Sequence, residues 1–353
     1  MNLRWRSLSR RLGLGLLAFS ALFFFTALED AYVLPQRIGL ALGALGLVAG
    51  AWGLPLPLSP VFGLGLVFFA WRCLCHLNSP DAPASLPWFA VQIPEFFLFL
   101  GATVAMADPA LRRRAAAALL VASGLGAVYA LLAPMGWEPF VRGAVDLGFG
   151  RRAHGTLGNP DFLGGWLAML LPLALTCGLA SKGTARNWAL GLAGLLTGVL
   201  ALTLVRGSWV AAGVGCVVGF LVLGAKGFVG LHRQWRSLVG AGLLAGGVLA
   251  VLTLGSPAGR GRLREAADLH SEAWKSRVFM ASIALDLARE HPLTGVGGGS
   301  FEMEYLRRQG ERLWTDRSQP FRLTEDAHND WVQAAAETGF FGLLVWCAFF
   351  SWP

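Results

Sequence analysis

The stretch Glu325-Asp326-Ala327-His328-Asn329-Asp330-Trp331 is a polar sequence that leads directly into an apolar run starting at Val332. It closes the one long polar segment of the chain, residues 256–331, because the rest of the sequence is one apolar run after another. A histidine and an amide are expensive to hold where a polar loop re-enters an apolar helix, so they are the first candidates for chemistry.

The composition excludes an ordinary soluble protein. Of the 353 residues, 55% are hydrophobic and 14% are charged, whereas soluble domains carry roughly 25% charged residues. We therefore predict an all-α polytopic membrane protein with about ten transmembrane helices, each of about 20 residues. The apolar runs that predict them lie at 12–28, 38–54, 61–77, 88–107, 115–134, 161–181, 188–205, 209–224, 237–255 and 332–350.

This pattern divides the chain into three parts. Residues 1–255 hold transmembrane helices one to nine, residues 256–331 form a long helical loop domain, and residues 332–353 hold helix ten. Small residues four apart predict close helix packing in lipid. The pairs are Gly39/Gly43, Gly46/Gly50, Gly194/Gly198, Gly215/Gly219 and Gly242/Gly246.

The distribution of charge predicts the orientation. The net charge is +8, and basic residues such as Arg112-Arg113-Arg114 fall in alternate loops, which places the N-terminus in the cytoplasm. The first run has a basic flank but a poor cleavage site, so we expect a retained anchor. Loop 135–160, the link near Arg206 and segment 256–331 then lie on the opposite, non-cytoplasmic side of the membrane.

Three other classes of site are disfavoured. No basic run is interleaved with aromatic residues, so we expect no nucleic-acid partner. The five cysteines all lie in apolar runs and predict no disulfide framework. We expect no cofactor and no metal, although the acidic pair Glu29-Asp30 could bind a divalent ion and Cys73-Leu74-Cys75-His76 has a superficially metal-like spacing.

The polar segment has its own helical pattern. Apolar residues at helical spacing (Trp274, Val278 and Leu285, with Phe279 and Ile283 beside them) predict a surface helix from Ala273 to Glu290, ended by Pro292. The run Gly295–Gly299 predicts a loop rather than a phosphate loop, because no Lys-Ser/Thr follows it. Ser300 can then cap a second helix that extends to about Arg312.

Two positions near other span ends could carry chemistry. The segment from Arg152 to Asn159-Pro160 combines basic residues with a helix start, which suits an anion site; the alternative is a solvated turn with a helix cap. Arg206 stands alone between two apolar spans, where an arginine at depth costs roughly 2.5 kcal/mol or more. Its alternative role is snorkelling to the interface.

The last apolar run carries a polar stripe. Asn329, Gln333 and Glu337 are spaced four apart and share one face of a helix that His328 opens. A purely structural histidine is the alternative.

These residues together resemble the O-antigen ligase and polymerase family over about residues 140 to 350. The motifs that carry the resemblance are Arg152-x-x-Gly-Thr-x-Gly-Asn-Pro, Arg206-Gly-x-Trp, Arg277, Pro292-Leu293-x-Gly295-x-Gly297, His328-Asn329 and Glu337-x-Gly339. Asp161 departs from the family, which usually has asparagine there. The family commonly continues through about two more spans beyond the tenth, which indicates that a chain ending at Pro353 is a truncated product.

The resemblance implies a membrane glycosyltransferase that acts on polyprenyl-diphosphate-linked glycans, with a glycan or lipid acceptor and with the long loop as a lid. It singles out Arg206, Arg277 and His328 as the catalytic residues. Arginine is a permanent, forked cation suited to phosphate, and the ordinary pKa of histidine, about 6.5, suits a general base. The substrate-binding candidates are Arg152, Asn159, Asn329 and Glu337.

Two other classes of function stay open. A transporter of bicarbonate or another small anion is suggested by the polar residues Gln92, Pro94 and Glu95 inside an apolar run, although no paired broken helices or internal repeat accompany them. A scaffold subunit of an envelope assembly is the third. Within the resemblance, ligase and polymerase are not distinguished.

Overall fold

The chain folds into α-helices. The structure, a computed structural model, describes residues 3–25, 28, 31–56, 58–80, 83, 85–137, 152–225, 255, 260–261, 272–315, 321 and 323–351. Within these residues there are eleven α-helices and no strand. They are α1 (Leu3–Phe19), α2 (Val33–Ala51), α3 (Pro60–Leu77), α4 (Leu86–Met106), α5 (Pro109–Ala130), α6 (Pro160–Ala180), α7 (Gly183–Thr203), α8 (Arg206–Ala225), α9 (Glu272–Glu290), α10 (Phe301–Thr315) and α11 (Asp330–Ser351).

Helices α2–α8 and α11 are long and apolar enough to cross a membrane, eight candidate spans in the described residues. This confirms the fold class, and the eight correspond to the second to eighth and tenth spans predicted from sequence. The ninth, 237–255, lies outside the described residues apart from its last position. The bounds 12–28 for the first span are wrong: α1 begins at Leu3, within the basic flank, because arginine is a good helix former even where hydropathy is low.

Three helices begin in the same way, with a polar cap followed by proline. The side chains of Ser59, Asp108 and Asn159 accept hydrogen bonds from backbone N–H groups in the first turns of α3, α5 and α6, at 3.2, 2.8 and 2.8 Å. Proline at the next position lacks an N–H that would have had no partner in the first turn. These caps set where the helices start, and Asn159 therefore sets the start of α6.

The chain divides into two compact units, and the first comprises residues 1–50 and 108–264. Its core consists of small and branched apolar side chains of α5–α8, among them Leu163, Leu167 and Leu196. Helices α6 and α8 pack in parallel: Gly164 lies against Ser208, and Gly219 lies against Thr176. The starts of α6 and α8 therefore lie at the same end of this unit.

Glycine pairs allow the predicted close packing in part of this unit. Gly43 and Gly46 of α2 lie against Gly13 and Leu17 of α1, and Ser9 Oγ donates to the Gly46 carbonyl at 2.8 Å. The prediction is also confirmed for Gly215/Gly219. For Gly194/Gly198 the described residues show no such packing, because the α-carbons have open space among them on the side-chain side. Gly242/Gly246 lie outside the described residues.

The second unit comprises residues 51–107 and 265–353. Helices α3, α4 and α11 pack through aromatic side chains, with Phe68 stacked on Phe349 at 5.5 Å between ring centroids. Helix α9 and helix α10 confirm the two helices predicted in the polar segment. The predicted apolar face of α9 is partly wrong, because Phe279, Ile283 and Leu287 are buried whereas Trp274 and Val278 are about half exposed.

Candidate functional site

Arg206 lies at a tight helix–helix corner in the first unit. Helix α7 ends at Thr203, Leu204 adopts a left-handed conformation with φ of 56°, and α8 begins at Arg206. The indole N–H of Trp209 donates to the Leu200 carbonyl at 2.9 Å, which holds the two helices together across the corner. A left-handed leucine is strained by about 1–2 kcal/mol, so the surrounding packing must impose this geometry. The Arg206 side chain is partly buried.

Arg152 reaches the same corner from a different part of the chain. Its Nε donates to the Thr203 carbonyl at 2.8 Å, and the Ala153 N–H donates to the Leu202 carbonyl at 3.1 Å. Two of the cations predicted from sequence, Arg152 and Arg206, therefore border one helix end. The Asp161 carboxylate lies 3.5 Å from the Arg152 guanidinium. The aspartate that departs from the family pattern therefore forms an ion pair with Arg152, one of the substrate-binding candidates.

The remaining residues of the motif Arg152-x-x-Gly-Thr-x-Gly-Asn-Pro contact other parts of the first unit. Thr156 Oγ1 donates to the Ala21 carbonyl at 2.7 Å, and Gln36 Nε2 donates to the Thr156 carbonyl at 3.0 Å. Gly158 lies against the ring of Tyr32. The motif therefore anchors the entry to α6 against α2 and against the turn between α1 and α2, and Asn159 acts there as the helix cap described above.

His328 lies in the second unit, two residues before α11 begins at Asp330, so it does not open the helix itself. It is the second non-glycine residue with positive φ among the described residues, at 51°, and its side chain is exposed. Strained backbone persists where the surroundings impose it and occurs often at functional sites. Asn329 Oδ1 accepts from the N–H groups of Trp331 and Val332 at 3.1 and 3.4 Å, which makes Asn329 the cap of α11.

The polar stripe on α11 is a connected network. Gln333 Nε2 donates to Asp326 Oδ1 at 3.0 Å and to Glu337 Oε1 at 3.4 Å, while Gln333 Oε1 accepts from the Ala327 N–H at 3.0 Å. The network connects Asp326 and Ala327 to Gln333 in the first turn of α11. It thereby holds the backbone from which the His328 side chain projects.

Glu337 is buried and contacts the glycine loop between α9 and α10. Its Oε1 accepts from the Gly299 N–H at 3.3 Å, and its backbone carbonyl accepts from the Gly297 N–H at 3.1 Å. A carboxylate in a membrane helix requires such partners, since a buried charge without them is costly. The structure therefore shows Glu337 joining the loop to α11.

The glycine loop crosses α11 where that helix is broken. Gly339 has φ of 71° and ψ of 178°, and the freed backbone groups bond to the loop: the Val296 N–H donates to the Ala336 carbonyl at 2.8 Å, and the Phe340 N–H donates to the Pro292 carbonyl at 2.8 Å. Gly295 also has positive φ, 64°, and a Cβ there would collide with Ala336 and Glu337. The Pro292–Gly297 motif and the Glu337–Gly339 motif thus contact each other through their backbones.

Arg277 differs from the other described cations of the polar segment. Arg289, Arg307, Arg308 and Arg312 pair with carboxylates of α9 and α10, and the hydrogen bond that Arg307 donates to Glu304 raises the pKa of Arg307. Arg260 and Lys275 also have interactions. Arg277 is exposed on α9 and makes no hydrogen bond or ion pair with another described residue.

Sequence reasoning missed the contribution of α3. The Arg72 guanidinium lies 4.8 Å from the Trp88 ring centroid and 3.5 Å from the Glu95 carboxylate. Trp71 Nε1 donates to the Thr338 carbonyl at 2.9 Å, and Ser79 Oγ lies 2.6 Å from Ser300 Oγ. The sequence signal for this contribution was the single arginine inside the apolar run 61–77.

Of the two metal-like features of the sequence, the structure describes only the segment Cys73–His76. Within Cys73–His76, His76 is buried with Nδ1 2.8 Å from Ser85 Oγ and its ring stacked on Phe89, whereas Cys73 is exposed. The acidic pair Glu29-Asp30 lies outside the described residues.

Comparison with known proteins gives one match. Residues 191–347 match a family model described as O-antigen ligase. The match includes Arg206, Arg277, His328 and Glu337, and it confirms the resemblance read from the motifs; Arg152 and Asn159 lie before it. Neither a curated protein nor a solved structure matches the chain.

Proposed function

We propose, on the premise that residues 191–347 match a family model described as O-antigen ligase, that this chain transfers a glycan from a polyprenyl-diphosphate carrier to an acceptor hydroxyl at the periplasmic face of the bacterial inner membrane. His328 accepts the proton of the acceptor hydroxyl, whose oxygen bonds to the anomeric carbon. The bond from that carbon to the diphosphate breaks, and its electron pair stays on the diphosphate. Arg206 and Arg277 stabilise this leaving group.

The observation that carries the proposal is that Arg277 and His328 are exposed and unpaired among the residues that the structure describes. Neither side chain makes a hydrogen bond or ion pair with another described residue, whereas the four arginines named above on α9 and α10 are engaged by carboxylates. An exposed cation with no partner remains available for a phosphate, and an exposed imidazole remains available for a hydroxyl. Both lie in the second unit.

The first unit contributes the Arg206 corner. The start of α8 follows Val205, which has no polar side-chain atom to cap the helix. The positive end of the α8 dipole therefore adds to the positive charge of Arg206. It also adds to the charge of Arg152, which is partly offset by the ion pair with Asp161. Asn159, Asn329 and Glu337 support these groups as caps and clamps, and we propose that they position the donor and the acceptor.

The test is transfer in vitro from a polyprenyl-diphosphate glycan to defined acceptors, with wild type compared with Arg206→Ala, Arg277→Ala and His328→Ala. Arg289→Ala is the matched control, because Arg289 is an exposed arginine on the same helix as Arg277 but pairs with Asp286. Normal turnover by both Arg206→Ala and His328→Ala would refute the assignment of the site.

A double-mutant cycle then tests whether the two arginines act on one diphosphate. Residues that stabilise the same charge are strongly non-additive, so Arg206→Ala/Arg277→Ala should lose much less than the product of the two single losses. Strictly multiplicative losses would mean that Arg206 and Arg277 serve separate steps.

A small-anion transporter is the second candidate, and one observation favours it. The Gln92 side chain of α4 is buried, and its Nε2 has no hydrogen-bond partner among the described residues. Pro94 follows two residues later inside the same helix. Uptake of bicarbonate into proteoliposomes that contain no lipid-linked glycan, abolished by Gln92→Leu, would support a transporter.

A further inference from the structure

An apolar groove runs along the surface of the first unit between α6 and α8. Its volume is about 490 Å³, within the range of roughly 300–1,000 Å³ that is typical of ligand pockets. Its walls include Gly165, Met169 and Pro172 of α6 and Gly207, Ala211 and Gly215 of α8. Most of the wall is apolar, so the groove suits hydrocarbon rather than a polar ligand.

Small residues create this groove. A Cβ added at Gly165 or Gly207 would meet no atom of the described residues within 4 Å, so the missing side chains leave space among these residues. At the deeper end the helices close up, because Gly215 lies against Pro172. The groove lies beside these contacts, and its wall runs from Gly165 and Gly207 to Pro172 and Gly215.

The groove is continuous with the Arg206 corner. Gly207, the first α8 residue in the wall, directly follows Arg206, and Gly215 lies eight residues further along α8. At about 1.5 Å per residue the groove thus extends roughly 12 Å from the cationic corner along two membrane-spanning helices. A ligand that fits both parts has an anionic head and a hydrocarbon tail.

We propose that this groove holds the isoprenoid chain of the lipid-linked donor, in the part nearest its diphosphate. The inference rests on the proposed function for the identity of the head group at Arg206. Bulk lipid is as apolar as the groove, so burial in it adds little affinity over the bilayer. Its effect is positional: it holds the chain so that the diphosphate arrives at Arg206 in one orientation.

The groove can be filled without disturbing the fold. Gly165→Leu and Gly207→Leu place a side chain into open space within the groove. Gly213→Leu is the matched control, since Gly213 lies on α8, is exposed, has equally open space around its α-carbon and does not line the groove. All three are the same substitution in a membrane-spanning helix.

The first readout is the ratio of transfer rates with a full-length polyprenyl donor and with a donor in which a methyl group replaces the polyprenyl chain. A steric change in an apolar pocket typically alters discrimination by about 10-fold or more, so the ratio should fall by about that factor in Gly165→Leu and Gly207→Leu. In Gly213→Leu it should equal that of wild type. An unchanged ratio in both groove variants overturns the inference while leaving the proposed function in place.

The second readout does not need activity. A polyprenyl diphosphate with a photoactivatable diazirine in its third isoprene unit should label α6 and α8 peptides that contain groove residues. Labelling should be lost in Gly165→Leu and retained in Gly213→Leu. If wild type transfers glycan from no donor, the proposed function fails, yet this labelling still supports the groove. Labelling elsewhere, or equal displacement by excess phospholipid and by excess unlabelled polyprenyl diphosphate, overturns it.

Discussion

Replacing Gly339 with alanine should disrupt the contact between the glycine loop and α11 and lower the free energy of unfolding. The backbone at Gly339 (φ 71°, ψ 178°) is in a region that only glycine adopts readily. A Cβ there would lie 2.7 Å from the Pro292 carbonyl oxygen and closer still to the Leu293 carbonyl. The strained conformation costs about 1–3 kcal/mol, and loss of the Phe340–Pro292 hydrogen bond adds about 0.5–1.5 kcal/mol, so we expect a loss of about 1.5–4.5 kcal/mol.

The assay is equilibrium unfolding of purified protein in mixed detergent micelles, followed by tryptophan fluorescence. Gly310→Ala is the matched control, because Gly310 lies inside α10 with open space around its α-carbon. There the same substitution should stabilise by about 0.5–1 kcal/mol, since alanine favours helix. If the free energy of unfolding of Gly339→Ala lies within about 0.5 kcal/mol of wild type, the scatter expected between independent measurements, the contact between the loop and α11 does not stabilise the fold as expected.

Three further predictions concern activity. His328→Ala should reduce glycan transfer by about 10²–10⁴-fold, as expected for loss of a general base, with unfolding unchanged because the side chain is exposed; a loss that tracks lower stability would contradict this. Arg277→Ala should raise the barrier by more than about 1.4 kcal/mol, a factor of ten in rate, whereas Arg289→Ala should transfer normally, and equal losses would assign Arg277 a structural role. Transfer should survive EDTA, and activity abolished by EDTA and restored by magnesium would show a divalent ion in the reaction.

Some of the candidate site could be predicted from the sequence, because polar residues inside apolar runs are rare. Placing a polar group in lipid costs free energy. Arg206 stands alone between two apolar runs, and the structure places it at the first position of α8. The stripe of Asn329, Gln333 and Glu337 was predicted from helical spacing alone. Gln333 and Glu337 are joined by a hydrogen bond as this spacing allows, whereas the Asn329 side chain caps the helix. The signal from Arg277 was weaker, since the polar segment holds eleven basic residues and only the resemblance to the family selected it.

Other parts could not be read because they depend on partners remote in sequence. The approach of Arg152 to Thr203 joins positions 51 residues apart, and the bond from Trp71 to Thr338 joins positions 267 apart. The roles of Asn159 and Asn329 as caps were visible as an alternative, but which side chains they face was not. The buried face of α9 was misjudged because Val278 and Phe279 are adjacent apolar residues, and only packing decides which one is covered.

The sequence by itself determined the class of protein, the positions of most helices and the polar residues worth attention, because hydropathy, helical periodicity and capping are local properties of the chain. Only the tertiary structure decided that α3 and α4 pack with the polar segment and α11 in one unit, while α1 and α2 pack with α5–α8 in another. It also decided that Gly339 breaks α11 to receive the glycine loop. These features arise from contacts between distant segments, whose free energy depends on shapes that exist only once the helices are packed.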